Sequence, residues 1–199
     1  HPEHFLLDET QPMAVGPYAV SNYYMETKKA QVEAMKNAKQ VILEVGKEFG
    51  ELSGRSYGFF EAYKLDDADY AVLMIGSAAG TTKDAIDALR KEGKKVGLLK
   101  LRVFRPFPAE EIADALKNCK AVGIMDRSES FNGQAGPLSA EVTAALFRAG
   151  STAKVVSYIY GLGGRDYRVE DAKEVFSELE QAANGTEVEQ FRYIGLRSR

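Results

Sequence analysis

The chain has 199 residues, 45% of them hydrophobic and 28% charged, with a net charge of −3; this is enough apolar material for one sizeable core. No block of lysine or arginine stands out, which argues against a nucleic-acid surface, and no apolar run approaches the roughly 20 residues that a membrane-spanning helix requires. The single cysteine, Cys119, excludes an intramolecular disulfide, a cysteine-held iron–sulfur cluster and a multi-thiolate zinc site within the chain, and it fits a reducing compartment. His1 and His4 are the two histidines, and both sit at the N-terminal end, where order is usually poor. No catalytic and no metal-ligating residue is therefore assigned. The opening His1-Pro2-Glu3-His4 has no methionine and no signal-peptide pattern, and reads as a fragment or a processed product.

Residues 1–22, with Pro2, Pro12 and Pro17, read as an extended segment. From Tyr23 to about Phe49, Met25, Val32, Met35, Ala38, Ile42, Val45 and Phe49 recur at helical spacings, which predicts a long amphipathic helix stopped by Gly50 and then by Ser53-Gly54. Its apolar stripe either packs on its own domain or bridges to a neighbouring domain or chain. Two divisions are expected, 1–56 for the extended segment and long helix and 57–199 for the domain proper. Tyr57 to Leu65 reads as a strand, and Tyr70 to Gly76, Val96 to Val103, Ala121 to Asp126 and Lys154 to Ile159 as four more of buried type. Helices are expected over Thr81 to Glu92, capped by Thr81, then Ala109 to Asn118, Pro137 to Ala149 and Val169 to Ala183. Strands alternating with helices of this length imply parallel pairing, an α/β fold with helices on both faces of the sheet. The last segment, Gly185 to Arg199, reads as a docking tail.

In an open α/β sheet the loops after the strands form the binding edge. Gly76 to Lys83 leads into a helix, and Gly80, Thr81 and Thr82 are weak candidates for an anion site there, without the spacing of a P-loop. Arg102 and Arg105, in Leu101-Arg102-Val103-Phe104-Arg105-Pro106-Phe107-Pro108, are further weak anion candidates; alternatively they cap helix ends or pair with Glu110 and Glu111. Arg127 and Asn132 read as loop-fixing residues, and no core histidine is present to activate Ser128 or Ser130. Gly161-Leu162-Gly163-Gly164-Arg165-Asp166 has Asp166 where a dinucleotide fingerprint needs glycine, so Gly163, Gly164, Arg165 and Asp166 are read as interface or loop-fixing residues.

Taken in order, the arginine and proline stretch, the Asp126-Arg127-Ser128 turn with Gly133 to Leu138, and the Gly161 to Asp166 motif resemble the C-terminal part of the alpha subunit of the pyruvate:ferredoxin oxidoreductases. Val15-Gly16-Pro17, Asn22 to Glu26 and Tyr57 to Tyr63 extend the resemblance over nearly the whole chain. The resemblance implies a transketolase C-terminal-like three-layer sandwich, with a mixed five-stranded sheet containing one antiparallel strand. It also implies a whole enzyme that uses thiamine diphosphate, Mg and iron–sulfur clusters to convert pyruvate, coenzyme A and oxidised ferredoxin into acetyl-CoA, CO2 and reduced ferredoxin. This chain is then a noncatalytic domain holding none of those cofactors, inactive alone, cytoplasmic, and partnered by other domains or by subunits of beta, gamma and delta type, without nucleic acid or membrane; a homodimer is compatible. Two other readings stay open: a free-standing anion-binding or flavodoxin-like module, and the equivalent domain of another thiamine enzyme, such as a transketolase or the pyruvate dehydrogenase beta chain.

Overall fold

Short apolar runs separated by amphipathic helices pair into one sheet, because a strand buried on both faces needs neighbours for its backbone and helices for its side chains. The structure, a computed structural model, describes residues 20–131 and 133–197, together with Thr10 and Gly16. His1, His4, Asn132 and most of the extended segment expected over residues 1–22 lie outside the described residues. The strands are β1 (Phe60–Tyr63), β2 (Tyr70–Ile75), β3 (Val96–Leu101), β4 (Ala121–Asp126), β5 (Lys154–Ile159) and β6 (Phe191–Tyr193), in the order β1-β3-β2-β4-β5-β6. β1 runs antiparallel to β3, with Phe60 opposite Leu101, and every other pairing is parallel.

The period-two alternation of the strands divides the core into two layers. Val72, Met74 and Leu98 point to the face covered by α2 (Ala78–Lys91) and α5 (Val169–Ala183), where they meet Ile86, Val175 and Leu179. Leu73 and Leu99 point the other way, to α3 (Ala109–Leu116) and α4 (Pro137–Arg148), against Ile112, Leu116 and Val142. The three-layer sandwich is thus the one expected.

Two departures from the expectation concern the long helix and the extent of the sheet; in addition, β1 covers only the middle of the Tyr57 to Leu65 segment. The long helix, α1 (Tyr24–Ser53), passes through Gly50 and ends at Gly54, whose left-handed conformation lets its N–H donate to the Gly50 carbonyl at 2.9 Å. Gly46 and Gly50 serve a different purpose: the returning chain lies across them, and a Cβ on Gly46 would run into the Tyr57 carbonyl. No residue of α1 is fully buried. Lys39 ties its middle to α3 through Glu111 at 2.8 Å and lies 5.5 Å over the Phe59 ring, while Val32, Val41, Val45 and Leu52 stay exposed.

The second difference is the sheet itself, which has six strands rather than five, because part of the tail forms β6 along the free edge of β5. The Ser157 N–H donates to the Gln190 carbonyl and the Ile194 N–H to the Ile159 carbonyl, both at 2.9 Å. Three residues are too short a run for their alternation to signal a strand. What seats them is Arg192, which pairs with Glu178 of α5; the other Glu178 oxygen accepts the Tyr158 hydroxyl at 3.0 Å. Both charged partners are largely buried, so removing one leaves the other desolvated and unpaired. Replacing Arg192 by alanine is expected to cost about 3 to 5 kcal/mol in denaturant unfolding, whereas the apolar double replacement Arg192→Met with Glu178→Leu recovers most of that loss. Equal stability of the single variant and the parent chain would contradict this account.

Candidate functional site

From β2 the chain crosses to β3 on one side, and β4 is then added on the other side of β2. The loops leaving β2 and β4 therefore diverge, and the crevice between them is where open α/β sheets receive ligands. It has a volume of about 330 Å³ and is lined by Gly76, Ser77, Asp126, Arg127, Leu138 and Tyr160 among others.

The one carboxylate in its lining among the described residues is already engaged. Asp126, 4% exposed at the end of β4, accepts the Leu138 N–H on Oδ1 at 2.8 Å and the Ser139 N–H on Oδ2 at 3.0 Å. Those are free N–H groups of the first turn of α4, which has Pro137 at its start and the side-chain-free Gly136 before it, so no local residue caps it. Gly136 is required there because a Cβ would overlap the Asp126 carboxyl. Burial pushes the Asp126 carboxyl up from its ordinary value, and the two N–H donors pull it partly back.

On the neighbouring loop, α2 opens at Ala78 rather than at Thr81, so Thr81 does not cap it. The two alanines ahead of Gly80 prolong the helix, and Ala79 is packed in the core. Gly80, Thr81 and Thr82 consequently stand inside the helix. The Gly80 N–H donates to the Ser77 carbonyl at 2.9 Å. The Thr82 hydroxyl is buried, donating back to the Ala78 carbonyl at 3.1 Å, with Met74 Sδ at 3.2 Å.

Arg102 and Arg105 do have carboxylate partners, but not Glu110 or Glu111. Arg102 meets Glu61 at 3.1 Å and lies 4.8 Å over the Tyr57 ring. Glu61 also pairs with Lys83, whose hydrogen bond holds its carboxyl below the usual value against the opposing effect of burial. Arg105 pairs with Glu141 of α4 and lies 4.2 Å over the Phe104 ring. Arg127 Nε donates to the Gly161 carbonyl at 3.1 Å, joining the β4 and β5 loops. Arg165 donates to the Gly195 carbonyl at 2.6 Å and forms no ion pair with Asp166. Gly163 and Gly164, at φ +64° and +81°, turn the backbone away from β5. Around them lies a second cleft of about 510 Å³, lined by Arg165, Asp166, Arg168, Asp171 and Arg197. Arg168 and Arg197 were not singled out by the sequence; only the convergence of the β5 loop with the end of the chain brings them together.

Chemically, this edge offers guanidinium groups, backbone and small apolar surfaces. Burial raises the Tyr160 and Tyr167 phenols above their ordinary value, leaving them neutral hydroxyls, and Asp126 is saturated. Among the described residues of this edge, no nucleophile and base lie within hydrogen-bond reach of each other.

A mostly parallel sheet with one antiparallel edge strand, helices on both faces and this carboxyl edge defines a transketolase C-terminal-like domain. The chain belongs to the pyruvate:ferredoxin oxidoreductase core domain II family, which matches residues 68–172. It is 43% identical over 197 residues to pyruvate synthase subunit PorA of Thermotoga maritima, covering 98% of this chain and 49% of the relative. To ketoisovalerate oxidoreductase subunit VorA of Pyrococcus horikoshii it is 42% identical over 90% of this chain and 46% of the relative. Among solved structures, the 2-oxoglutarate:ferredoxin oxidoreductase of Magnetococcus marinus is similar at a TM-score of 0.51 and 19% identity, covering 82% of this chain and 24% of that one; this supports the fold. The chain spans about half the length of the curated relatives it matches.

Two outcomes follow from this geometry. Asp126→Asn leaves one helix N–H facing an amide NH2 in place of an acceptor, and is expected to destabilise the chain by about 1 to 3 kcal/mol in thermal or denaturant unfolding; no change would mean that the carboxylate does not hold α4. Burial pushes the Cys119 thiol up from 9.0 to about 11. The folded state thus favours the protonated thiol, and the stability linked to it, present below the ordinary thiol range, is lost as pH rises through about 11. An aromatic disulfide reagent at about pH 8 should leave Cys119 unmodified until denaturant is added, since few thiolates form below the raised value; rapid labelling of the folded chain would contradict this.

Proposed function

We propose that this chain is a noncatalytic structural and assembly domain of the alpha subunit of a thiamine-diphosphate-dependent 2-oxoacid:ferredoxin oxidoreductase, with pyruvate as the substrate. The whole enzyme would convert pyruvate, coenzyme A and oxidised ferredoxin to acetyl-CoA, CO2 and reduced ferredoxin. The observation that carries this reading is the 43% identity to a pyruvate synthase subunit, which runs along 98% of this chain yet reaches only 49% of the relative. Active-site parts absent from this edge then belong to the rest of the subunit or to other subunits of beta, gamma and delta type. The assembly is read as cytoplasmic.

The donor set supports assigning the cofactors elsewhere. An iron–sulfur cluster needs several thiolates, and the chain has only Cys119, buried and held as a thiol. Thiamine diphosphate needs a carboxylate facing its pyrimidine and acidic ligands for its metal. The crevice carboxylate, Asp126, faces α4 instead, and no group of three His, Cys, Asp or Glu side chains suited to a metal occurs among the described residues. The described residues do not fit either group.

The test is reconstitution. The purified chain alone should show no pyruvate-dependent reduction of ferredoxin or viologen, and the full-length alpha subunit assembled with its partner subunits and thiamine diphosphate should show it. Turnover by the chain alone would overturn the noncatalytic assignment, and an assembled enzyme that oxidises another 2-oxoacid in preference to pyruvate would overturn the substrate.

A further inference from the structure

Arginines concentrate in the loops at the carboxyl ends of the strands. The loops that follow β2 to β6 contain Arg102, Arg105, Arg127, Arg165, Arg168 and Arg197 and no lysine, whereas Lys94, Lys95, Lys120 and Lys154 gather at the amino ends of the strands. Arg102 and Arg105 are neutralised by Glu61 and Glu141. Among the described residues, no carboxylate lies within ion-pair distance of Arg127, Arg165, Arg168 or Arg197; the arginines so paired are Arg90, Arg102, Arg105 and Arg192. Arg127 and Arg165 are instead held by the carbonyls of Gly161 and Gly195, which fix the side chains without cancelling their charge.

Apolar groups stand between these arginines. Phe131, at the tip of the β4–α4 loop, is 97% exposed and adopts φ +49°, a conformation that costs a phenylalanine about 1 kcal/mol or more. The loop is built to hold it: the Phe131 N–H donates to Glu129 Oε2 at 2.7 Å and the Gly133 N–H to the Ser130 carbonyl at 3.1 Å. Leu162, on the loop after β5, and Ile75, the last residue of β2, are 43% and 42% exposed. Arginine and aromatic side chains without lysine are the composition of a buried protein interface, in which an aromatic anchor enters a pocket and guanidinium groups meet carboxylates.

A small phosphate ligand fits the same edge less well. Asp166 and Asp171 line the cleft that holds Arg165, Arg168 and Arg197. Asp171 already accepts the Arg168 N–H at 2.7 Å at the start of α5. Arg127 and Phe131 belong to the neighbouring loop, so the cations do not converge on one point.

We propose that this carboxyl edge, with Phe131 as anchor and Arg127, Arg165, Arg168 and Arg197 as its charged surround, docks onto an acidic, pocketed face of another polypeptide of the oxidoreductase assembly. The proposal rests on the function argued above and adds the surface and the chemistry of its partner. It is tested in the full-length alpha subunit co-expressed with its partner subunits, by measuring subunit dissociation against salt concentration in sedimentation experiments. Phe131→Ala, at a fully exposed position, and the pair Arg165→Glu with Arg197→Glu are each expected to weaken association about tenfold or more, Phe131→Ala without lowering the melting temperature of the separated subunit. The charge-reversal pair should also flatten the salt dependence. The pair Lys95→Glu with Lys154→Glu, on the opposite edge, should leave association unchanged. Association of parental strength in both carboxyl-edge variants would overturn the proposal while leaving the enzyme assignment standing. Stabilisation by inorganic pyrophosphate that depends on Arg165 and Arg197, with association unaffected, would overturn it in favour of a small-anion site. A parental subunit that neither assembles nor supports 2-oxoacid oxidation would remove the functional reading, and this inference with it.

Discussion

The carboxylate of Asp126 is the tie on which the carboxyl side of this domain depends. Its two oxygens take the Leu138 and Ser139 N–H groups at 2.8 and 3.0 Å, so α4 is capped from the end of a core strand rather than by its own flanking residues. Capping at a distance fixes the start of the helix relative to β4. It also imposes glycine at position 136, where a side chain would collide with the carboxyl. The same contact engages the one acidic group that lines the crevice beside β2 among the described residues.

Other ion pairs repeat that pattern with smaller stakes. Glu61 gathers Lys83 and Arg102, joining the antiparallel edge strand to α2 and to the loop after β3; Arg105 with Glu141 joins that loop to α4; Lys39 with Glu111 joins α1 to α3. Each is partly exposed and contributes little to overall stability. What they decide is where loops and the long helix lie. Arg127, Arg165, Arg168 and Arg197, by contrast, have no carboxylate within ion-pair distance among the described residues, although Asp166 and Asp171 share the cleft with three of them.

Much of the fold was legible because its periodicities are local. The limits of β4, β5 and α5 agree with the sequence reading to the residue, and β2, β3, α3 and α4 agree to within about two residues, while β1 is less than half as long as the Tyr57 to Leu65 reading; apolar runs of strand length between glycine-rich turns leave few alternatives. Errors arose where a residue type has two uses. Gly50 reads as a helix stop, but it lies inside α1, beside the returning chain. Thr81 reads as a cap, yet the alanines before it continue the helix. The tail reads as docking, without a strand in it, because three residues are too few for an alternation to signal a strand, and the buried Glu178 that gives Arg192 its place lies in another element.

The candidate site divides in the same way. By itself the sequence determined an α/β sheet with glycine- and arginine-rich loops at one edge, and through the order of its motifs it determined the family, because both are written in spacings along the chain. Only the tertiary structure decided which of those groups remain available. Asp126, Thr82 and Arg102 are engaged by atoms 12, 8 and 41 residues away, whereas Arg127 and Arg165 meet only carbonyls. Whether a polar group is spent or free depends on distances between segments remote in sequence, and those distances exist only once the sheet has closed and the helices have packed.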